Sequence, residues 1–349
     1  MPDTSPPLQE AISALANRLS LSEHLAAQVF DIVMRGEATP AQVAALLIGL
    51  RVKGETAEEV AGAARAMRDA MVRVEADVDH LVDTCGTGGG TVTTFNISTA
   101  AAFVAAGAGA SVAKHGNRSF SSKCGSADVL EALGVAITLD ANEAARVLRD
   151  ACITFLFAPT FHPAMRHVGP VRRELGGIAS IMNMLGPLAN PAGARRQVVG
   201  VADPDRAALM AGALARLGAE HAMVVHARVG MDEISPLGVT DVWEVRDGAV
   251  TRWEIDPATH GVAVGDVAAL RGGGPSENAA RIRGLLAGKR DDDPAGRAAV
   301  VLNAGAALYV AGLVDTFAEG IARAAAALES GAGLGALERL RQASASTSG

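Results

Sequence analysis

A glycine-rich segment with hydroxyl side chains is the first part of this sequence whose composition suits chemistry. The segment DTCGTGGGTVTTFNIST, residues 83–99, follows a short apolar run and contains four glycines. Backbone N–H groups that no Cβ shields can surround a phosphate, and a helix beginning at NIST would add the partial positive charge of its N-terminus. The spacing is neither GxGxxG nor GxxxxGK[ST]. The segment predicts a phosphate site, with a strand-to-helix turn that binds no ligand as the alternative.

A second polar segment, KHGNRSFSSKCGS at residues 114–126, is dense in hydrogen-bond donors. It combines lysines, an arginine, an asparagine and several serines directly after another apolar run. A diphosphate and a ribose phosphate need that many donors, because each oxygen requires a partner once water is displaced. A solvated basic loop is the alternative interpretation of the same composition.

Two adjacent carboxylates, Asp232 and Glu233, follow a third apolar run, HAMVVHAR, in the segment GMDEISPLG. They are hard oxygen ligands of the kind that Mg²⁺ prefers, with its remaining positions taken by water and substrate phosphates. Considered alone, such a pair is more often part of a solvated loop. The pair is therefore a candidate metal site only in combination with the phosphate-binding segments.

No catalytic nucleophile or base is predicted. His115 and His162 are interpreted as residues that shape the backbone or pack through their rings. Cys85 and Cys124 are interpreted as small residues in tight turns. The three cysteines of the chain are an odd number without metal-ligand spacing, which favours free thiols in a reducing compartment such as the cytoplasm.

The elements that must position these residues follow from hydrophobic periodicity. Between residue 8 and about residue 72 apolar residues recur at steps of three and four, which predicts consecutive helices. Capping boxes begin two of them, at Thr39 and Thr56. From about residue 80 short apolar runs alternate with Ala-rich segments of helical length, which predicts an α/β unit with a mostly parallel sheet. Residues 239–256 instead predict a β-hairpin around a DG turn.

The overall composition excludes several classes of partner. A net charge of −7 and an aromatic content of 3% are unfavourable for binding nucleic acid, which needs positive charge and stacking platforms. The longest uncharged apolar stretch has about 15 residues, short of the roughly 20 that a membrane-spanning helix needs. The N-terminus also lacks the basic and apolar regions of a signal peptide. We expect a cytoplasmic protein that binds neither nucleic acid nor membrane.

Several motifs taken together resemble the anthranilate phosphoribosyltransferases. They are GTGG before FNIST, VAKHGNRS before SKCGSADVLEALG, then HPAM, VRRELG and NMLGPLANP, in a resemblance that runs from roughly residue 10 to residue 340. The resemblance implies that the phosphoribosyl group of phosphoribosyl diphosphate (PRPP) is transferred to anthranilate in tryptophan synthesis, with Mg²⁺ as cofactor. It also implies a homodimer formed through a helical domain.

The fold implied by the resemblance has a small all-helical N-terminal domain and a larger α/β domain with a mostly parallel central sheet and helices around it. The helical domain would comprise residues 1–75 and take back a segment at about 172–190. The α/β domain would comprise residues 76–349 and bind PRPP. We expect a disordered tail at about 343–349, because ASASTSG is small and polar.

The resemblance also implies which residues form the site. PRPP would be contacted by Gly86, Gly89, Gly90, Thr94, Asn96, Ile97, Ser98, Thr99, Lys114, His115, Gly116, Asn117, Arg118, Ser119, Phe120, Ser121, Ser122 and Ser126. Anthranilate would be held by Gly86, Asn117 and Arg172, since a planar guanidinium pairs well with a carboxylate. Mg²⁺ would be held by Ser98, Asp232 and Glu233.

Two departures from the family pattern bear on the site. Gly90 stands where many members have aspartate, and the segment LGGIASIMN lacks an Arg-Thr pair and is one residue longer than usual. The alignment between Arg172 and Asn183 therefore stays open. One alternative function is a pyrimidine nucleoside phosphorylase, although those enzymes normally have Lys-His-Ser before TGG. The other is a noncatalytic paralogue that binds nucleic acid.

Overall fold

The computed structural model describes residues 6–119, 123–288 and 292–346. Four helices come first: α1 (Pro6–Ala16), α2 (Glu23–Met34), α3 (Pro40–Lys53) and α4 (Ala57–Asp69). Thr39 and Thr56 accept hydrogen bonds from the backbone three residues later and form the two predicted capping boxes. The predicted run of N-terminal helices is therefore confirmed.

The remainder of the chain alternates between strands and helices. The strands are β1 (Leu81–Gly86), β2 (Ser111–Gly116), β3 (Ile153–Phe157), β4 (Arg196–Gly200), β5 (His221–Ala227), β6 (Thr240–Arg246) and β7 (Ala249–Ile255). The helices are α5 (Ile97–Gly107), α6 (Ser126–Ala132), α7 (Ala141–Ala151), α8 (Ala158–Phe161), α9 (Gly169–Glu174), α10 (Met182–Leu188), α11 (Pro204–Arg216), α12 (Pro275–Leu286), α13 (Pro294–Val310), α14 (Phe317–Glu329) and α15 (Ala332–Ala345). Short 3₁₀ helices span Pro163–His167, Pro257–His260 and Val267–Leu270.

The seven strands form one sheet in the order β3-β2-β1-β4-β5-β6-β7. The first five strands are parallel, and β6 and β7 continue the sheet antiparallel. Asp247 and Gly248 between β6 and β7 have φ of 50° and 78°, as the predicted DG hairpin turn requires. The mostly parallel sheet and the hairpin are both confirmed, and the carboxyl ends of β1, β2, β4 and β5 lie at one edge.

The segment near residues 172–190 packs with the N-terminal helices. Met184, Leu185 and Leu188 of α10 belong to the same hydrophobic cluster as Phe30 of α2 and Leu47 of α3. That cluster continues onto one face of the sheet and onto α11. Because the apolar packing is continuous there, the division into domains at about residue 75 stays a prediction.

The predicted disordered tail is wrong for residues 343–346. Helix α15 continues to Ala345, and Ser344 is fully buried. The Oγ of Ser344 accepts a hydrogen bond from the Ala136 N–H at 3.2 Å, which ties the end of the helix to the loop after α6. The small, polar residues of this segment predicted a disordered tail. The segment instead continues α15, because Ser344 is buried against the distant loop that contains Ala136. Residues 347–349 lie outside the described part of the chain.

Within the described ranges, no helix combines the length and the apolar character that crossing a membrane requires.

Candidate active site

The loop that follows β1, residues 87–96, contains the glycine-rich segment and is called the glycine loop below. Gly88 and Gly89 have φ of 67° and 84°, a left-handed conformation that glycine adopts without steric cost. The Gly88 N–H donates to Oδ2 of Asp232 at 2.8 Å. Since Asp232 lies in the loop after β5, this bond joins the loops that follow two parallel strands.

Gly90 permits a close approach between the glycine loop and the loop after β5. The N–H of Thr91 donates to the carbonyl oxygen of Gly230 at 2.9 Å. A Cβ at Gly90 would lie 2.8 Å from that same oxygen. A side chain at this position would therefore require the two loops to separate, which is a steric reason for glycine here.

Lys114, near the end of β2, is buried and connects the two predicted phosphate-binding segments. Its Nζ donates to the carbonyl oxygen of Thr84 at 2.6 Å and to Oγ of Ser98 at 3.1 Å. An ammonium group has three N–H donors, so one is left for a ligand. Burial lowers the pKa of Lys114, while the carboxyl groups of Asp83 and Glu233 act in the opposite direction.

The carboxyl group of Glu233 interacts electrostatically with this ammonium group, and Asp232 precedes Glu233 in the chain. Burial raises the pKa of Asp232, and it raises that of Glu233 well above the ordinary range, where the adjacent Asp232 adds to the effect. Oε1 of Glu233 accepts from Oγ1 of Thr94 at 3.4 Å. Oε2 of Glu233 is enclosed and has no hydrogen-bond partner among the described residues. An enclosed carboxylate oxygen without a partner is costly unless a ligand completes it.

The residues around that oxygen fit a divalent cation that also needs substrate oxygens. A cavity of about 10 Å³, enough for roughly one water molecule, is lined by Thr84, Cys85, Ser98, Asp232, Glu233 and Asn303 among others. Two carboxylates and a serine hydroxyl are hard oxygen donors suited to Mg²⁺. In the part of the chain that the structure describes, no cluster of three or more His, Cys, Asp or Glu side chains forms a metal cage. The donor set suits an ion that shares its coordination with a phosphate.

The first turn of α5 contains three of the predicted PRPP contacts, Ile97, Ser98 and Thr99. The helix begins at Ile97, as the NIST motif predicts. The side chain of Ile97 is fully buried and that of Thr99 is almost so. The backbone N–H groups of both residues already donate within the chain, that of Ile97 to the carbonyl oxygen of Phe95 at 2.7 Å and that of Thr99 to the carbonyl oxygen of Asn96 at 3.1 Å, so their contacts with PRPP stay predictions.

The second polar segment begins where β2 ends. Oγ of Ser126 donates to the carbonyl oxygen of Asn117 at 3.3 Å, and a Cβ at Gly116 would lie 2.2 Å from that Oγ. These three predicted site residues therefore touch one another. A side chain at 116 would have to displace Ser126 and the ring of Phe155, whose Cε2 would lie 2.9 Å from the added Cβ. The predicted contacts at Phe120, Ser121 and Ser122 lie outside the described residues.

Arg118, a predicted PRPP contact, is paired with carboxylates of α6. Its guanidinium forms hydrogen bonds with Asp128 and Glu131 of α6, at 3.0 Å and at 2.6 and 2.9 Å, and lies 5.8 Å from the centre of the Phe157 ring. These carboxylates raise the pKa of Arg118. A role for Arg118 in binding PRPP stays a prediction and would require this network to rearrange.

Arg172 on α9 is half-buried, whereas its neighbour Arg173 is exposed. Nη2 of Arg172 lies 3.5 Å from Oδ1 of Asn183, which also accepts from the Ser180 N–H at 3.2 Å. Burial lowers the pKa of Arg172. Among the described residues, Arg172 thus forms its hydrogen bond with Asn183, which is not one of the predicted site residues.

The turn between α9 and α10 accommodates the unusual LGG sequence. Gly176 and Gly177 have φ of 66° and 75°, so both occupy the left-handed region. Two consecutive residues in that region are tolerated when both are glycine. The turn returns the chain so that Asn183 meets Arg172.

His115 and His162 form a buried pair whose ring centres are 4.9 Å apart. Nδ1 of His115 lies 3.2 Å from the carbonyl oxygen of Gly186, so this nitrogen donates. Burial lowers the pKa of His115 to about 3 and that of His162 to about 4. Both rings are neutral near pH 7 and are weak bases, which agrees with the packing role expected for them.

Family models match both parts of the chain. The model described as the helical bundle domain of a glycosyl transferase family matches residues 9–71, and its α/β domain model matches residues 78–334. An anthranilate phosphoribosyltransferase of Roseiflexus sp. strain RS-1 is 53% identical over 96% of this chain and 97% of its own length.

Solved structures agree in fold and sequence. An anthranilate phosphoribosyltransferase from Thermus thermophilus superposes with a TM-score of 0.89 at 43% identity, covering 95% of this chain and 98% of that one. The chain belongs to the anthranilate phosphoribosyltransferase family. The anthranilate phosphoribosyltransferase from Saccharomyces cerevisiae, solved in complex with PRPP and Mg, has a TM-score of 0.88 at 27% identity, covering 98% and 99%.

For this member of the anthranilate phosphoribosyltransferase family, sequence analysis missed the polar residues beneath the site. Oδ1 of Asp83, fully buried in β1, accepts from the His115 N–H at 3.2 Å, and Oδ2 accepts from Nδ2 of Asn190 at 2.8 Å. Nδ2 of Asn190 also donates to the carbonyl oxygen of Ala113 at 2.8 Å. The available signal was a charged residue inside an apolar strand, since such residues are buried only with partners. A second missed residue is Asn278, which contacts Asn96.

Proposed function

We propose that this chain transfers the phosphoribosyl group of PRPP to the amine of anthranilate, giving N-(5-phosphoribosyl)anthranilate and diphosphate. One observation carries the proposal. The glycine loop, the ammonium group of Lys114 and the carboxylates of Asp232 and Glu233 converge at the carboxyl edge of the sheet. N–H donors of a glycine loop and an ammonium group next to oxygen ligands for a cation suit a sugar diphosphate that carries a divalent ion.

Mg²⁺ would be held by Ser98, Asp232 and Glu233 together with oxygens of PRPP. When bound, the ion neutralises negative charge that grows on the departing diphosphate, which is worth several kcal/mol. Oε2 of Glu233 has no hydrogen-bond partner among the described residues, and this supports the assignment because ligation would satisfy it. The free N–H of Lys114 would donate to a phosphate oxygen on the same side.

The anthranilate amine would attack C1 of the ribose from the face opposite the diphosphate. Arg172 would hold the carboxylate of anthranilate, with Asn117 and Gly86 next to the ring. An aniline-type nitrogen is unprotonated at neutral pH, so no base is needed before the attack. The chain contributes mainly by positioning the two substrates and by stabilising charge as the bond to diphosphate breaks.

We also propose that the protein works in the cytoplasm as a homodimer formed through its N-terminal helices. Leu19 and Val52, in the helical region, are large apolar side chains with relative exposures of 60% and 64%. Burial of these two side chains against a partner subunit would remove apolar surface from water. Size-exclusion chromatography with light scattering would measure the assembly directly.

The experiment that tests the activity is incubation of the protein with anthranilate, PRPP and Mg²⁺ while the fluorescence of anthranilate is followed. We expect loss of fluorescence that requires all three additions. Controls omit PRPP or replace Mg²⁺ by a chelator. Phosphorolysis of thymidine by the same preparation, without consumption of anthranilate, would replace the proposal by the nucleoside phosphorylase alternative. Salt-sensitive retention of nucleic acid on a filter, without either activity, would favour the noncatalytic paralogue.

A further inference from the structure

The loop that leads into α12 packs against the end of the glycine loop. Thr94 pairs with Arg271 in an isolated antiparallel bridge, and the N–H of Phe95 donates to the carbonyl oxygen of Leu270 at 3.0 Å. A Cβ at Gly272 would lie 2.3 Å from the carbonyl oxygen of Thr94. This loop therefore forms the support on which the last residues before α5 rest.

A chain of three hydrogen bonds through two side-chain amides crosses this support. The N–H of Gly273 donates to Oδ1 of Asn278 at 2.8 Å, and Nδ2 of Asn278 donates to Oδ1 of Asn96 at 2.9 Å. Nδ2 of Asn96 then donates to the carbonyl oxygen of Cys124 at 3.1 Å. Asn278 is only 3% exposed, so water competes little for these bonds. We call the three bonds the amide relay.

The two ends of the amide relay determine the orientation of both amides. The backbone N–H of Gly273 can only donate, so the group of Asn278 that faces it is the oxygen. The NH₂ of Asn278 must then face an acceptor, which makes the facing atom of Asn96 its oxygen. The NH₂ of Asn96 accordingly faces the carbonyl of Cys124, which can only accept. Each bond agrees with the next, so neither amide can flip without breaking two of them.

We propose that Asn278 is a positioning residue for the PRPP site and that it acts by orienting the amide of Asn96. Asn96 is the N-cap residue of α5, and its bond to Cys124 joins the end of the glycine loop to the second polar segment. After the relay bonds are made, Asn96 keeps one N–H on Nδ2 for a ligand oxygen. The relay thus orients the Asn96 amide so that its remaining N–H, and not its oxygen, is available to an anionic substrate. This inference rests on the proposed function.

Arg281, one turn further along α12, supports the same loop independently. Its guanidinium lies 4.1 Å from the centre of the Phe95 ring and forms two bonds with Asp293, at 2.6 and 2.9 Å. Its Nη2 also donates to the carbonyl oxygen of Ala269 at 2.6 Å. These contacts do not involve Asn278, so the loop should keep its place when Asn278 is replaced.

The test is a double-mutant cycle in which PRPP binding with Mg²⁺ is measured by calorimetry. The proteins are the wild type, Asn278→Ala, Asn96→Ala and the double variant. We expect each single change to weaken binding by roughly five- to fiftyfold and the double variant to bind no more weakly than Asn96→Ala. The KM for PRPP should rise in Asn278→Ala while the KM for anthranilate stays within about twofold. The inference would be overturned if Asn278→Ala weakened PRPP binding by the same factor in the wild type and in the Asn96→Ala variant. It would also be overturned if Asn278→Ala bound PRPP as tightly as the wild type.

Two further variants separate positioning from general loosening of the helix. Glu277→Ala removes the neighbouring cap bond from the Gly274 N–H, which is 2.9 Å long, and leaves every donor and acceptor of the three relay bonds in the protein. It should bind PRPP as the wild type does. If Asn278→Ala fails to fold, Asn278→Asp keeps the size and the bond to Gly273. Its effect should vanish in the Asn96→Ala background if it acts through the relay and persist if it acts through its charge. A wild-type protein that binds no PRPP would overturn the proposed function itself.

Discussion

The backbone N–H of Gly88 donates to Oδ2 of Asp232 at 2.8 Å, so the glycine loop is attached to one of the two carboxylates that we assign to the metal. A carboxylate oxygen has lone pairs for more than one partner, so Asp232 can keep this bond while it binds a cation. The glycine loop and the proposed metal site are therefore joined directly by a hydrogen bond.

Replacement of Arg172 by alanine should lower kcat/KM for anthranilate by roughly ten- to a hundredfold. The change removes a charge-assisted contact worth about 1.5 to 3 kcal/mol. Steady-state kinetics with anthranilate as the varied substrate measure the effect. Arg173→Ala is the matched control, because its side chain is exposed, and its kinetics should stay within about twofold of the wild type. Unchanged kinetics in Arg172→Ala would remove this residue from the site.

Binding of Mg²⁺ should release protons, and its apparent affinity should increase with pH. Burial raises the pKa of both Asp232 and Glu233, so at a given pH these groups hold more protons than exposed carboxyl groups do. The ion binds the deprotonated form, so protons must leave as it enters. The affinity therefore rises with pH over the range in which the two groups titrate. Calorimetry in buffers of different ionisation enthalpy measures the number of protons released.

Glu233→Gln should release fewer protons and need more Mg²⁺ than the wild type. Glu254→Gln is the control, since Glu254 is an exposed carboxylate paired with Arg228. It should behave as the wild type in the same titration. Identical proton release in Glu233→Gln and the wild type would contradict the assignment of Glu233 as a ligand.

Gly90→Ala should lower the free energy of unfolding by about 1 to 3 kcal/mol and raise the KM for PRPP. The added Cβ would meet the Gly230 carbonyl oxygen at 2.8 Å, and overpacking of this kind carries a cost in that range. Urea unfolding and PRPP kinetics measure the two effects. Gly265→Ala is the control, because nothing described lies within 4 Å of a Cβ there. An unchanged Gly90→Ala would show that the two loops are further apart in solution.

Ser344→Ala should cost about 1 kcal/mol of stability without altering activity. The substitution leaves the Ala136 N–H without its acceptor in a buried setting. Ser346→Ala, at an exposed serine near the end of the same helix, should change stability by less than about 0.5 kcal/mol. Urea unfolding distinguishes the two. If Ser344→Ala were as stable as the wild type, the hydrogen bond between Ser344 and Ala136 would contribute nothing to the stability of the fold.

The sequence alone was sufficient to predict much of the architecture, because the local helix and turn signals agree with the elements of the folded chain. Apolar periodicity and capping boxes located the N-terminal helices, and the Asp247-Gly248 turn located the hairpin. Glycines and carboxylates after successive apolar runs indicated one edge of a parallel sheet, since strand ends converge there. Several motifs in register indicated the family.

Tertiary contacts decided what the local sequence could not. The tail was expected to be disordered, yet Ser344 is buried against a distant loop. Arg118 was expected to contact PRPP, which stays a prediction, and only the fold shows that its guanidinium pairs with Glu131 of α6. Asn278 carried no local signal of function, because its partner Asn96 is 182 residues away. Spacing along the chain predicts which residues reach the edge of the sheet, but only the packing of distant segments determines which donors and acceptors are already in use.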